Sequence, residues 1–153
     1  MKLEGAFAVA APRPAVWEAI RDPGVMAPCI PGCESAEPID DIRYRSVVVV
    51  KFGPITARFN LVIEIEEEIA PGYVRVSAKG EEGTRASMVT GRAELTLTEP
   101  APGHTGVAWS GEVAVTGRLA KYGLGLMRKK IESLSAEFIA AFGRKLEAEA
   151  SAS

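Results

Sequence analysis

TGVAWSGEVAVTG, residues 105–117, runs directly into RLAKYGLGLMRKKIESLSAEFIAAFGRKLEAEA, residues 118–150. The apolar period changes at that junction. In the first segment Val107, Trp109, Gly111, Val113 and Val115 share one face, the period of a strand buried on one side. In the second, Leu119, Tyr122, Gly123, Leu126, Met127, Ile131, Leu134, Phe138, Ala141 and Phe142 recur at steps of three and four, the stripe of an amphipathic helix. The pattern predicts a long helix from about Gly117 that covers the apolar face of a sheet. Gly123 and Gly125 stand out within it, because glycine in a helix interior costs about 1 kcal/mol against alanine. Close packing on the sheet would explain them, and so would room for a ligand beside the helix.

Upstream, strand follows strand. RYRSVVVVKF (43–52), TARFNLVIEIEEE (56–68), YVRVSAKG (73–80) and ASMVTGRAELTLTE (86–99) read as strands, with the turn signals FGPI and APGY between the first three and PAPGH leading from the fourth into 105–117. In 56–68, Ala57, Phe59, Leu61, Ile63 and Ile65 share one face, and Arg58, Asn60, Glu64 and Glu66 the other. Short turns between successive strands predict an antiparallel meander. The chain opens with KLEGAFAV (2–9), read as a strand. APRPAVWEAIRDP follows, with Pro12 and Pro14 suited to a helix entry and Val16, Trp17 and Ile20 on one face. PGVMAP adds a further turn, so a short helix or helix pair covers 13–28. A sheet gripping a helix leaves a gap in which a small apolar ligand would sit.

A chain of 153 residues fits one domain, placed at 1–149, with 150–153 expected to fray. The net charge of −2 gives no global attraction to nucleic acid, so any electrostatic role must be local. Glu4 and the two prolines interrupt the N-terminal apolar run, and a folded helix follows, so a signal peptide is not expected. No apolar run approaches the ~20 residues of a membrane span. These features predict a cytoplasmic protein.

Several segments together resemble one family. They are PAVWEAIRDPGVMAPCIPGCES (14–35), KFGPITARF (51–59), AKGEEGTRASMVTGRAELTLTE (78–99) and VAVTGRLAKYGLGLMRKKIESLSAEFIAAF (113–142). In this order they are similar to the CoxG family of carbon monoxide dehydrogenase subunits, within the START/Bet v 1-like (SRPBCC) helix-grip superfamily. The resemblance implies an α+β helix-grip fold: a curved seven-stranded antiparallel sheet around a long C-terminal helix, with two short helices after the first strand. It also implies service to an aerobic carbon monoxide dehydrogenase or related molybdenum hydroxylase, through membrane attachment and handling of a lipophilic quinone. Some members reach the membrane through a long C-terminal extension. This chain stops after the helix, so permanent anchoring by such a tail is not expected. The family supplies no catalytic motif to carry over.

Both cysteines lie in PCIPGCES (28–35). Zinc wants four ligands, and two cysteines with the distant His104 do not supply them. A disulfide is disfavoured in a reducing cytoplasm. No Lys, Arg or His neighbours the thiols in sequence to activate one. The reading is a tight turn of free thiols, with Ile30 and Pro31 near the cavity entrance. His104 reads as an exposed loop residue, and the acidic runs 64–68 and 79–83 as solvated strand ends.

The expected site is therefore an apolar lining of Phe59, Leu61, Ile63, Met88, Trp109, Val113, Tyr122, Leu126, Met127 and Phe138, with Trp109 and Tyr122 able to stack on a quinone ring. A basic stretch of Arg118, Lys121, Arg128, Lys129 and Lys130 offers a patch for anionic lipid or an acidic partner, the alternative being an ordinary solvated face. The expected function is non-catalytic binding of a quinone or lipid, with no covalent cofactor, no metal and no nucleic acid. It would be accessory to a molybdenum hydroxylase and at most peripheral at the inner face of the cell membrane. A polyketide cyclase or dehydratase on the same fold, or a protein-only assembly factor, are the alternatives.

Overall fold

The computed structural model describes residues 1–83 and 86–152, without the side chains of Phe52 and Leu124. Thr84 and Arg85, inside one of the segments quoted above, lie outside the described residues.

Seven strands form one antiparallel sheet in the order β1-β7-β6-β5-β4-β3-β2. They are β1 (Lys2–Val9), β2 (Cys33–Pro38), β3 (Arg43–Phe52), β4 (Ile55–Ile69), β5 (Tyr73–Glu82), β6 (Ser87–Ala101) and β7 (His104–Gly117). The strands from β2 to β7 pair in sequence order, as short turns dictate, and β1 closes beside β7 with Gly5 opposite Trp109. Between β1 and β2 come α1 (Arg13–Ile20), α2 (Pro23–Met26) and a 3-10 turn, Ala27–Cys29. Pro14 sits in the first turn of α1, where a missing N–H costs nothing. The Asp22 carboxylate accepts from Gly24 N–H at 2.9 Å and caps α2.

The corner into β2 depends on Gly32. Its φ is +78°, and a Cβ there would lie 2.1 Å from the Val49 carbonyl oxygen. Only glycine permits both that conformation and that approach. Cys29 and Cys33 are free thiols on either side of it. Cys29 is buried, and burial raises its thiol pKa. Lys145 of the long helix acts on it in the opposite sense, a cation that adjacency in sequence does not show.

The long helix does not begin at Gly117. Residues Arg118–Tyr122 form a 3-10 turn, and α3 runs from Leu124 to Ala152, past the expected boundary at 149. Gly123 separates the two with φ +85° and ψ 157°, a conformation confined essentially to glycine. It is thus a joint between elements and carries no helix-interior penalty. Gly125 is exposed, and a Cβ there would meet nothing within 4 Å, so neither close packing nor a ligand explains it.

The interior divides into two clusters. The larger joins Val9, Val16, Trp17, Val74, Leu97, Val107, Phe142 and Leu146, beneath α1 and the C-terminal half of α3. Phe142 is 1% exposed, stacked on Phe138 at 5.4 Å between centroids and edge-on to Phe7 at 6.5 Å. Thr105 donates its hydroxyl to the Ala11 carbonyl at 2.7 Å, tying the entry of α1 to β7. The smaller cluster centres on Ala57, Phe59 and Leu119, at the other end of the sheet.

Candidate functional site

Beside the smaller cluster the sheet and α3 do not meet. The space between them is an apolar cavity of about 250 Å³. Its sheet wall comes from Val48 and Val50 of β3, Phe59 and Leu61 of β4, Ala78 of β5, Val89 and Gly91 of β6, and Val113 and Val115 of β7. Leu119 of the 3-10 turn and Met127, Lys130, Ile131 and Leu134 of α3 complete it. The void has a simple origin. The central strands carry Ala78 and Gly91 where larger side chains would reach the helix, and the remaining strand residues are mostly valines.

The wall is almost wholly carbon, so a ligand there would be held by burial of apolar surface rather than by hydrogen bonds. An apolar cavity of ~150 Å³ accepts benzene, and drug-sized sites start near ~300 Å³. The volume suits one ring with a short substituent, or a segment of a single chain. Larger surface grooves of about 630, 590 and 400 Å³ are open and lined by charged groups of both signs, including Lys2, Glu112, Arg92, Arg128, Arg21 and Glu18. Their charges already pair, Lys2 with Glu112 and Arg92 with Glu66, so they lack the character of an apolar site.

One end of the cavity is closed by the 3-10 turn. Leu119 is 1% exposed and packs against the smaller cluster. Among the described residues, four hydrogen bonds hold the turn down. Arg118 N–H donates to the Ala86 carbonyl at 2.8 Å, Leu119 N–H donates to Ser87 Oγ at 3.2 Å, and the Arg118 guanidinium grips Glu82. Glu82 is 5% exposed, which corrects its expected place in a solvated strand end. The Arg118 hydrogen bonds, with a further one from Ser87, hold its carboxyl below the usual carboxylate range despite the burial.

Of the expected lining residues, Phe59, Leu61, Val113 and Met127 do border the cavity. Met88 and Leu126 are instead exposed, at 43% and 48%. Along β6 it is Ser87, Val89 and Gly91 that turn inward, so Met88 faces out. The joint at Gly123 sets the rotation of α3 so that Met127 is buried and Leu126 is not. Trp109 lies across Gly5, whose Cβ position is 2.8 Å from the indole, and so is not placed to stack on a ligand in the cavity. Phe138 belongs to the larger cluster. Ile63 is half-buried outside the cavity wall, and Tyr122 packs on the smaller cluster beside it. Ile30 and Pro31 are half-buried in the corner before β2 and do not line the cavity.

The basic stretch is not one free surface. Arg118 is committed to Glu82. Arg128 donates to the Lys2 carbonyl at 2.9 Å and pairs with Glu132 at 3.8 Å. Lys121 lies over the Tyr122 ring at 5.8 Å, Lys129 is exposed, and Lys130 belongs to the cavity wall. His104 is exposed, as expected, but is the first residue of β7 rather than a loop residue. Among the described residues no group of three or more His, Cys, Asp or Glu is arranged to hold a metal ion.

An antiparallel sheet closed over a long terminal helix, with an apolar cavity between, is the helix-grip arrangement. The family model for CoxG, a subunit of carbon monoxide dehydrogenase, matches residues 5–147. The chain belongs to the CoxG family. A conserved protein from Geobacillus kaustophilus superposes on this CoxG-family chain with a TM-score of 0.88 at 20% identity, covering 95% of each chain. The ZhuI aromatase/cyclase from Streptomyces sp. R1128 gives 0.69 at 15% identity, over 96% of this chain and 93% of its own. Ara h 8.0201 gives 0.61 at 13% identity, over 95% and 97%. At such identities the likeness shows the Bet v 1-like fold alone. No curated protein matches the chain. Among the described residues no helix is long and apolar enough to cross a membrane.

Proposed function

We propose that this CoxG-family protein is a non-catalytic carrier that buries part of a quinone or lipid between its sheet and α3, in service of a carbon monoxide dehydrogenase or related molybdenum hydroxylase. The observation that carries this reading is the cavity of about 250 Å³ with a carbon wall. Burial of apolar surface contributes roughly 25 cal/mol per Å², before the costs of ordering are subtracted. The volume takes a quinone ring or the end of a chain, and the rest of a long molecule would leave through the opening. That arrangement suits delivery, because a partly buried ligand keeps one end available to an acceptor.

The family name supports an oxidoreductase partner. Exposed Lys129 and Lys121 supply peripheral attraction to anionic lipid at the inner face of the membrane, each worth ~1 kcal/mol near such a surface. A cyclase of the aromatase type needs titratable groups facing its substrate, and among the described residues the cavity wall offers one, Lys130.

The test is to purify the protein from its own cells, extract it with organic solvent and identify the extract by mass spectrometry. A stoichiometric quinone or lipid is expected, as is uptake of added quinone by ligand-free protein. No extractable ligand together with no uptake would favour an assembly factor. Turnover of an aromatic polyketide would favour a cyclase.

A further inference from the structure

Among the described residues, Lys130 is the one ionisable side chain in a wall otherwise made of Val, Leu, Ile, Phe, Met, Ala and Gly. It is half-buried. Because the wall is carbon, the four-carbon stem lines it and the ammonium belongs to the rim. The neighbours of Lys130 at three and four positions along α3 are Leu126, Met127, Ser133 and Leu134, so the helix offers it no carboxylate. Arg128 and Lys145, in contrast, pair with Glu132 and Glu149 at that spacing. Lys130 makes no ion pair among the described residues. Leu126, one turn earlier, is exposed on the same side of the helix.

A cation without a counterion at the rim of a carbon-walled void is complementary to one kind of molecule. We infer that the cavity selects a single-chain amphiphile ending in a carboxylate, with the chain among Phe59, Leu61, Val113 and Ile131 and the carboxylate on Lys130 Nζ. The inference rests on the ligand-binding reading proposed above and names the ligand class. One cation calls for a monoanion. A volume of about 250 Å³ admits one chain and excludes the paired chains of a phospholipid. A neutral quinone oxygen would accept a hydrogen bond from Nζ, but a charge-assisted bond is roughly twice as strong.

The experiment is displacement of the fluorescent apolar probe N-phenyl-1-naphthylamine by decanoate, decanol and a short-chain benzoquinone, each below its micellar concentration. Wild type, Lys130→Met, Lys130→Gln and Lys130→Arg are compared after thermal melts confirm that they fold. Lys130→Met and Lys130→Gln are expected to weaken decanoate about tenfold while leaving decanol within about twofold, and Lys130→Arg to retain most of the decanoate affinity. Equal effects on decanoate and decanol, or no effect on decanoate, overturn the inference and leave carriage of apolar molecules standing. A loss for benzoquinone as large as that for decanoate overturns it in favour of a general oxygen acceptor. If wild type takes up neither the probe nor any competitor, the ligand-binding reading fails and the inference falls with it.

Discussion

Arg118 Nε lies 3.0 Å from Oε2 of Glu82, and its Nη2 meets the other carboxylate oxygen, so one guanidinium clamps both oxygens of a carboxylate buried at the end of β5. The pair ties the 3-10 turn, and with it Leu119, over the end of the cavity. The carboxyl is held below its ordinary range, so the folded state binds protons there less readily than the unfolded chain. The stabilisation is therefore present above the unfolded carboxyl's pKa, about 4.3, and is lost as pH falls through the lower folded value. Thermal melts of wild type and Glu82→Gln against pH are expected to differ by a few degrees at neutral pH and to converge in acid. The variant is also expected to exchange an apolar probe faster in stopped flow, because the turn that caps the cavity is less firmly held.

Gly91→Val tests whether the void is the site. A Cβ at Gly91 would make ordinary contacts, 3.4 Å from the Glu112 carbonyl oxygen and 3.9 Å from Val113. The added methyls extend into the cavity that Gly91 lines. Removing a strand glycine contributes about 0.5–1 kcal/mol, so the variant is expected to melt at or above the wild-type temperature. Its affinity for an apolar probe is expected to fall several-fold. A stable variant with unchanged probe binding would move the site elsewhere.

Phe142→Ala addresses the other cluster. Phe142 is almost wholly buried between Phe138 and Phe7. Truncation is expected to cost about 3–5 kcal/mol, measured by urea unfolding. That is a large share of the ~5–15 kcal/mol by which domains are stable. Probe affinity of the fraction that remains folded is expected to change little, because Phe142 does not line the cavity.

The two glycines near the start of α3 are expected to respond oppositely to alanine. Gly123→Ala forces a side chain into φ +85° and is expected to destabilise by about 1–3 kcal/mol. Gly125→Ala adds a methyl in open space on a helix and is expected to stabilise by up to about 1 kcal/mol. Paired urea titrations check both.

The thiols are expected to differ in reactivity. Cys29 is buried, and its thiol is pushed up by desolvation, whereas Cys33 is half-exposed. Native protein treated with a disulfide reagent is expected to lose Cys33 first and Cys29 only on unfolding, followed by intact mass.

The fold is legible in the sequence because period and punctuation agree. Strand boundaries fall close to the Gly and Pro turns, and the residues from Val107 to Val115 announce their shared face. The site is less legible, for particular reasons. On β6, Met88 stands out as the large apolar residue, yet Leu95 and Leu97 fix the buried phase two residues at a time, and that phase includes Val89 and Gly91. In Val47–Val50 four identical residues hide the phase, so the pattern does not single out Val48 and Val50. On the helix, reading 118–150 as one unbroken period carries Leu126 inward, whereas Gly123 interrupts it. Ile131 and Leu134 lie on the apolar stripe in either reading. Lys130 gives no signal, since a charged residue counts as solvated until its stem is seen against a wall.

The split of the interior into two clusters divides labour along a single helix. The C-terminal half of α3 carries Phe142 and Leu146, where a lost methylene is felt by the whole domain. The N-terminal half fronts a space that is already incomplete, where exchanging Ile131 or Leu134 for another apolar residue alters what fits without touching the aromatic stack. What that space admits can therefore change while the fold is kept, because the residues that face it and those that hold the domain together are different residues of the same element.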